Sequence, residues 1–354
     1  MSALSRRDLD ITLCIPKLGP VLDGPAIRQF YHTSGAFAVH HYAPLKHPRV
    51  AQKIFAAFRV SSSRLARQAD VLYTRNLPIA ALAVGRGLPT LFESYRPWPD
   101  QYPVLTPIIR RMTRAPSFIG GVFHSELARD SHTRAGAPPE RLLVAHNGYE
   151  PARMAPVLSK GQARETLAID KDRPTVVYTG RVATGKGLET VLRVAQECPD
   201  VRFVLVGATG TNPLEGSFEA SANVSFAPWQ PYDKVSRWLY AADVLIVPPS
   251  SAPLEEHGHT VLPMKLFSYL AAGRPILAPS TPDIGELLIN GKNAVLVAPG
   301  DTPGAAQSLK TLLADPTLQE RLSKGALKTA AALTWDARAA RIHEFLIQRL
   351  ERHT

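Results

Sequence analysis

The chain has 354 residues, of which 45% are hydrophobic and 20% are charged. This length corresponds to about two domains at the usual ~100 to 200 residues per domain, and the composition is that of a globular protein. A single small binding module and a disordered chain are therefore excluded. The two cysteines, Cys14 and Cys198, lie far apart, so neither a disulfide framework nor a thiolate metal site is indicated, and a reducing cytosol fits best.

The net charge of +11 is concentrated in the first half of the chain. Residues 1–155 contain 20 Lys and Arg against 10 Asp and Glu, whereas residues 156–354 contain 21 against 20. Such an excess indicates an anionic partner, either nucleic acid or a membrane surface, unless the basic face only contacts solvent. No apolar run approaches the ~20 residues that cross a bilayer. The N-terminus also lacks a signal-peptide cleavage site, so we expect a cytoplasmic protein.

Short apolar runs alternate with longer amphipathic stretches along the chain, the pattern of parallel strands joined by crossover helices. This pattern predicts an α/β fold. The predicted strands are residues 10–15, 36–40, 70–73, 90–93, 118–123, 142–145, 175–179, 202–206, 224–226, 244–247, 275–278 and 294–297. The tail has helical periodicity without a further strand, and its candidate packing residues are Trp335, Ile342, Phe345 and Leu346.

The predicted strands fall into two similar halves, which indicates two domains. Residues 147–157 contain a turn dipeptide and two prolines without periodicity, as expected of a linker. We predict a first domain at residues 1–155, a second at 156–335, and a terminal helix at 336–354 that packs back on the first domain. Doubly wound domains facing one another would form a cleft at the carboxyl ends of their strands, where such sheets bind ligands.

The most specific local feature is the segment VVYTGRVATGKGLETVLRV. An apolar strand ends at Gly180, a loop carries Arg181 and Lys186, and a helix begins near Gly187. Glycines let the backbone approach an anion, and a helix N-terminus offers free N–H groups and the positive end of its dipole. With two cations nearby, the segment predicts a phosphate-binding loop. The alternative is an ordinary turn with two solvated cations.

Three other site classes are not supported by their patterns. Gly180, Gly185 and Lys186 have the spacing of a P-loop, but Gly187 replaces the Ser or Thr that holds Mg²⁺, and no Walker B strand follows. The segment VLVGATGTNP lacks the third glycine of a dehydrogenase fingerprint. Residues 255–259, EEHGH, have no second cluster of complementary spacing. We therefore expect a solvated loop there, and no metal site.

A second helix start follows in HTVLPMKLFSYLAAGRPILAPSTPDIGELL. Thr260 and Pro263 mark the start of a predicted helix at residues 264–272, Gly273 ends it, and Pro275 begins a buried strand. Two helix N-termini that suit phosphate in one domain favour a diphosphate ligand.

Several segments together resemble successive blocks of glycosyltransferase family 4. They are TGRVATGKGLETVL, RFVLVG, AADVLIVPPS, LPMKLFSYLAAGRPILA with PDIGELL, and NGKNAVLVAPGD. The resemblance covers about residues 118–345, including HNGYEP, which is similar to the interdomain turn of that family, and LTWDARAARI, which is similar to its closing helix. The first domain matches only loosely, through DVLYTRN and TLFESYRP.

The resemblance implies a GT-B fold of two Rossmann-like domains facing a central cleft. It also implies a nucleotide-sugar donor, retention at the anomeric carbon, and no bound metal or cofactor. The acceptor would be a glycan or lipid-linked sugar in bacterial surface polysaccharide or glycolipid assembly. Arg181 and Lys186 would hold the donor diphosphate and stabilise the charge that grows on it, and the phosphate oxygen would take the acceptor's proton. Further implied donor-side residues are Gly24, Gly180, Thr260, Val261, Leu262 and Ser268, and the acceptor-side residues are Arg75, Glu93 and Tyr95.

One departure from the family pattern concerns two glutamates, spaced eight positions apart, near the donor sugar and ribose. Thr260 and Ser268 occupy these positions here. Either the donor is held differently or the chain is an inactive, non-catalytic binding protein. A sugar-nucleotide epimerase of the same architecture is a further alternative. Nucleic-acid binding is not expected, because the basic half lacks a recognised module.

Basic residues in the first half suggest contact with a membrane. In residues 49–60, Val50, Ile54 and Phe58 form one helical stripe, with cations outside it. These cations are Arg49, Lys53 and Arg59, and a second cluster comprises Arg110, Arg111 and Arg114. The arrangement suits peripheral, reversible contact with anionic lipid at the inner face of the plasma membrane. The alternative is a core-facing helix with a solvated outer face.

Overall fold

The structure is a computed structural model that describes residues 1–17, 19, 21–31, 35–44, 49–210, 222–231, 233–252, 255 and 262–352. The chain divides into two compact units. Met1–His146 and Trp335–Thr354 form the first unit, and Asn147–Thr334 forms the second. The linker predicted at residues 147–157 therefore opens the second unit.

All twelve predicted strands are present in the described residues, with ends shifted by no more than two positions. The strands are β1 Thr12–Pro16, β2 Ala38–Tyr42, β3 Leu72–Thr74, β4 Thr90–Ser94, β5 Phe118–Phe123, β6 Leu142–Val144, β7 Thr175–Thr179, β8 Arg202–Ala208, β9 Val224–Pro228, β10 Val244–Ile246, β11 Ile276–Pro279 and β12 Val295–Val297. The helices are α1 Gly24–Tyr31, α2 Arg49–Ser61, α3 Arg64–Gln68, α4 Leu77–Gly85, α5 Trp98–Gln101, α6 Thr106–Arg114, α7 Glu126–Arg134, α8 Lys160–Thr166, α9 Leu188–Gln196, α10 Val235–Ala241, α11 Lys265–Ala272, α12 Thr302–Ala314, α13 Pro316–Ala330 and α14 Trp335–Glu351. The prediction of an α/β class is confirmed.

The second unit contains a parallel sheet whose described strands follow the order β12-β11-β10-β7-β8-β9. This is the doubly wound order, in which the chain first builds one half of the sheet and then returns to build the other. The central strands β7, β10 and β11 are buried on both faces. In β7, Val177 contributes to one core cluster, and its neighbours Val176 and Tyr178 contribute to the other. The direction of winding changes between β7 and β10, so ligands are expected at the carboxyl ends of these two strands.

The first unit contains a parallel pair, β1-β2, and a parallel sheet with the described strand order β3-β4-β5-β6. Side chains alternate along the sheet strands, so Phe92 faces the cluster that contains Ile109, whereas Leu91 faces the opposite cluster. Helix α14 supplies Ala339 and Ile342 to that second cluster. One face of the first unit is therefore completed by residues that follow the second unit in the sequence.

Helix α14 is attached to the sheet by packing and by hydrogen bonds. Ile342 is buried, and the other three predicted packing residues, Trp335, Phe345 and Leu346, lie against the same cluster. Gly120 in β5 makes room for this helix, because a Cβ there would lie 2.7 Å from the Phe345 ring. Arg349 donates to the Ile119 carbonyl oxygen at 2.9 Å.

Two further expectations concern the cysteines and the membrane. Cys14 and Cys198 are free thiols. Among the helices that the structure describes, none combines the length and apolar character needed to span a bilayer.

Candidate functional site

The loop between β7 and α9 carries the predicted phosphate site. Gly180 has a positive φ of 137°, and its N–H donates to the Val206 carbonyl oxygen at 2.9 Å. Gly207, at the end of β8, would place a Cβ 2.2 Å from the Gly180 oxygen. No other residue fits at Gly207, so this glycine lets the ends of β7 and β8 approach closely.

The second half of the loop meets the chain that follows β10. Gly187 precedes α9 in the left-handed conformation with φ of 70°, and a Cβ there would lie 2.6 Å from the Ser250 Cβ. Thr190 donates its hydroxyl proton to the Gly187 oxygen at 2.6 Å, within the first turn of α9. The loop therefore lies where the winding of the sheet reverses, the position at which α/β sheets bind ligands.

Three cations lie around this loop, of which the sequence analysis predicted two. Arg181 is exposed, and Lys186 is partly buried. The third is Lys265, the first residue of α11, whose ammonium nitrogen lies 3.6 Å from the centre of the Tyr178 ring. A Cβ at Gly180 would lie 3.1 Å from that nitrogen. Burial and the nearby charge of Lys186 lower the pKa of Lys265 well below its usual range.

The remaining donor-side predictions occupy different environments. Leu262 is buried in the core of the second unit, so only its backbone is available to a ligand. Ser268 is partly buried and lies one turn after Lys265 on α11. Gly24 begins α1 in the first unit, where a Cβ would lie 2.8 Å from the Phe37 carbonyl oxygen, which gives this glycine a packing role. Thr260 and Val261, and residues 256–259 of the predicted solvated loop, lie outside the described residues.

The first unit brings the three acceptor-side residues together at the ends of β3 and β4. Glu93 is buried in β4, and the exposed Arg75 follows β3, with 3.8 Å between the Arg75 Nε and the Glu93 Oε1. The Arg75 guanidinium also lies 5.3 Å from the centre of the Tyr95 ring. These residues thus form one cluster, which we call the Glu93 cluster.

Three partners of Glu93 were missed by the sequence analysis. Tyr73 donates its phenol proton to Oε2, His124 donates from Nε2 to Oε1, and Arg338 of helix α14 donates to Oε1 at 3.2 Å. Burial alone would raise the pKa of Glu93, but the hydrogen bond from His124 and the charge of Arg338 outweigh it and hold this pKa far below its usual range. Glu93 is therefore a carboxylate at neutral pH.

His124 also responds to this environment. Burial lowers the pKa of His124, against the opposing effect of Glu93. Its position could have been found from the sequence, since it directly follows the apolar strand β5. Arg338 gave no comparable signal, because it lies 245 residues from Glu93 in the chain.

The basic face of the first unit includes a surface cavity and an exposed helix. The cavity, of about 510 Å³, is lined by Thr106, Pro107, Arg110, Arg111, Arg114, Arg134 and Ala135. On α2, Ile54 and Phe58 are 50% and 52% exposed, whereas Ala56 and Ala57 form the buried side. Two residues of the predicted apolar stripe, Ile54 and Phe58, are thus half exposed, and the small side chains of Ala56 and Ala57 lie on the buried side of this helix.

No group of three His, Cys, Asp or Glu side chains in the described ranges is placed to hold a metal ion.

Residues 173–315, which contain the loop between β7 and α9 and helix α11, match the family model described as glycosyl transferases group 1. The D-inositol 3-phosphate glycosyltransferase of Thermobispora bispora is 30% identical over 233 residues, which cover 61% of this chain and 52% of that protein. The chain spans about half the length of the curated relatives it matches.

Two solved structures match nearly the whole chain. Sucrose-phosphate synthase from Thermosynechococcus elongatus superposes with a TM-score of 0.75 at 16% identity and covers 100% of this chain and 92% of its own. Anabaena HepE in complex with UDP superposes with a TM-score of 0.73 at 15% identity, covering 96% and 100%. The chain thus has the α/β fold with parallel sheets that GT-B glycosyltransferases share.

Proposed function

We propose that this protein is a retaining glycosyltransferase that moves a sugar from a nucleotide-sugar donor to a glycan or lipid-linked acceptor. The match of residues 173–315 to a glycosyltransferase family, the transferase relatives and the UDP complex of HepE support this activity. The acceptor would belong to the assembly of bacterial surface polysaccharide or glycolipid. This part of the proposal is supported by the family resemblance and by the surface of the first unit, where the apolar side chains of Ile54 and Phe58 are exposed beside the cations Lys53 and Arg59.

The single observation that carries the proposal is the β7–α9 loop. It carries the cations Arg181 and Lys186 and lies where the winding of the sheet reverses. As the glycosidic bond breaks, negative charge grows on the leaving diphosphate. Arg181, Lys186 and the N-terminus of α9 stabilise that charge more in the transition state than in the bound donor, which is the condition for catalysis. The leaving phosphate oxygen accepts the proton of the acceptor hydroxyl, so these side chains need only bind and orient the diphosphate.

The Glu93 cluster is the proposed acceptor side. Glu93 is fixed by hydrogen bonds from Tyr73 and His124, so it is a rigid carboxylate. The exposed Arg75 and the partly buried Tyr95 lie beside it and add a cation and an aromatic ring to the cluster. Such a combination suits a sugar, which offers hydroxyl groups to charged partners and an apolar face to a ring.

A nucleotide-binding experiment tests the donor site. We expect Arg181→Ala and Lys186→Ala each to weaken binding of UDP, measured by calorimetry, by about 10- to 150-fold, since hydrogen bonds to charged groups contribute ~1.5 to 3 kcal/mol. Arg193→Ala is the matched control, because Arg193 is an exposed cation in the last turn of α9, away from the loop. Unchanged affinity in both loop variants, measured with UDP, GDP and ADP, would contradict the donor site.

A second candidate function, non-catalytic nucleotide binding, is favoured by Ser268, which offers no carboxylate to a ribose. The two candidates differ in turnover. A transferase should release free sugar slowly from its nucleotide-sugar donor when no acceptor is present, and Arg181→Ala should abolish that release. A binding protein would bind the same donor and leave it intact.

A further inference from the structure

Among the residues that the structure describes, Lys265 has no carboxylate partner, and the mechanism proposed above does not use it. Its ammonium lies over the face of Tyr178, a contact that stabilises a cation through the ring quadrupole. In the part of the chain that the structure describes, no carboxylate acts on it, and the one charge that does is the like charge of Lys186. An ammonium that is desolvated and repelled by a second cation destabilises the free protein. Such a residue makes sense when a ligand supplies the missing negative charge.

The position of Lys265 identifies that ligand. Its nitrogen lies next to Gly180, where a Cβ would be 3.1 Å from it. Tyr178 donates its phenol proton to the Arg181 carbonyl oxygen at 3.1 Å, so the ring under the ammonium also holds the loop in place. Lys265 therefore lies in the same site as Arg181 and Lys186, and it enters from a different helix.

We propose that Lys265 is the third cation of the diphosphate site and binds the donor diphosphate together with Arg181 and Lys186, an inference that rests on the proposed function. A diphosphate spreads its charge over several oxygens on two phosphorus atoms. Cations from the β7–α9 loop and from the start of α11 can reach oxygens on different sides of that group, which two residues of one loop cannot do equally well.

Binding at this site should be coupled to a proton. In the free protein, burial and Lys186 favour the neutral amine of Lys265, whereas a bound diphosphate favours the ammonium. The other titratable group that faces it is the phenol of Tyr178, whose pKa is raised by burial. Helices α10 and α13 and the 3-10 turn Pro151–Met154 pack against α11, and none of their described residues contributes a charge that acts on Lys265. Ligand binding therefore takes up a proton from solvent, and affinity falls as the pH rises above the pKa of Lys265 in the free protein.

Calorimetry with UDP tests both statements. Titrations at one alkaline pH in two buffers of different ionisation enthalpy report the number of protons taken up. We expect wild-type protein to take up a fraction of a proton per UDP. Lys265→Met should take up less and bind UDP about 10- to 150-fold more weakly. Lys310→Met, which removes an exposed lysine of α12, should match wild type in both measurements.

Two controls separate binding from folding. Lys265→Met should melt at the same temperature as wild type or higher, because methionine fills similar space without a buried charge. Lys265→Arg should keep an affinity closer to wild type than to Lys265→Met. Equal UDP affinity and equal proton uptake in wild type and Lys265→Met would overturn this inference alone. A wild-type protein that binds neither UDP nor inorganic pyrophosphate would overturn the proposed function and this inference with it.

Discussion

His132 is a fully buried histidine in the first unit, and no charged side chain that the structure describes contacts it directly. Its ring lies 4.6 Å from that of Phe123, and its Nδ1–H donates to the Ala128 carbonyl oxygen at 2.8 Å. Nε2 is buried and has no hydrogen-bond partner among the described residues. Burial lowers the pKa of His132 from 6.5 to about 4, so the folded protein holds this side chain neutral.

The lowered pKa predicts a loss of stability in mild acid. Between pH 6.5 and 4 the unfolded chain binds a proton at His132 that the folded chain does not, so the free energy of unfolding falls as the pH decreases. At pH 5 this single group should cost about 2 kcal/mol relative to pH 7. Urea unfolding of wild type and His132→Leu at both pH values checks this. The substitution should remove that difference, and equal pH dependence in the two proteins would contradict the assignment.

The substitution Ser268→Glu tests the ribose contact that the family resemblance implies at this position. A carboxylate can accept hydrogen bonds from both ribose hydroxyls, whereas serine is shorter and offers one oxygen. We expect Ser268→Glu to tighten UDP binding by about 10- to 150-fold and to leave binding of inorganic pyrophosphate unchanged, since pyrophosphate has no ribose. Calorimetry with the two ligands measures both effects.

The pyrophosphate measurement also guards against an electrostatic artefact. Residues 265 and 268 lie on the same side of α11, where residues three apart are neighbours. A new carboxylate paired with Lys265 would weaken both ligands equally, and that result would reject the ribose assignment.

At the level of elements, the contact between β5 and α14 depends on Gly120. A Cβ there would meet the Phe345 ring at 2.7 Å and the Arg141 carbonyl oxygen at 3.0 Å. Gly120→Ala should therefore lower the free energy of unfolding by about 1 to 3 kcal/mol, the usual effect of overpacking a core. Phe345→Leu in the Gly120→Ala background should recover part of this loss, which a double-mutant cycle in urea would measure.

Gly161 provides the matched control for this substitution. It lies in helix α8, and a Cβ there would meet nothing within 4 Å. Gly161→Ala should leave stability unchanged or raise it by up to about 1 kcal/mol, because alanine restricts the unfolded chain and favours a helix. A similar loss in both variants would show that the Phe345 contact is not the cause.

The sequence could predict the elements better than it could predict which side chains meet. Apolar runs located the strands because the apolar character of a strand is a local property of the sequence. The glycines of residues 180–187 marked the loop through local backbone requirements. Lys265 and Arg338 gave no such signal. The first stands at an ordinary helix start, and the second lies on an amphipathic helix, so their roles arise only when the fold brings distant segments together.

At the level of the whole molecule, the basic surface predicts binding to anionic lipid. Between Asp23 and Asp70 the chain has seven Lys or Arg residues and no Asp or Glu. Within this stretch, α2 exposes Ile54 and Phe58 beside the exposed cations Lys53 and Arg59. Apolar side chains flanked by cations suit an acidic membrane interface.

Vesicle sedimentation measures this interaction. The protein should sediment with phosphatidylglycerol vesicles at low salt and be released at high salt, because exposed charges are then screened. Lys53→Gln with Arg59→Gln should lower the partition coefficient by about 30-fold, given ~1 kcal/mol per cation. A pair of neutral substitutions at Lys310 and Lys324 of the second unit should have no effect. Equal sedimentation of the two double variants, or no sedimentation of wild type at low salt, would contradict lipid binding. The acceptor would then be expected to be soluble.

The attachment of α14 to the first unit also bears on how the protein is made. A ribosome releases residues 1–146 long before residues 335–351, so the first unit emerges with one face of its sheet uncovered. The second unit is continuous in sequence and can fold as soon as it has emerged. We therefore expect the order of completion to reverse the order of synthesis for these two units, and the nascent first unit to need protection from aggregation until α14 arrives.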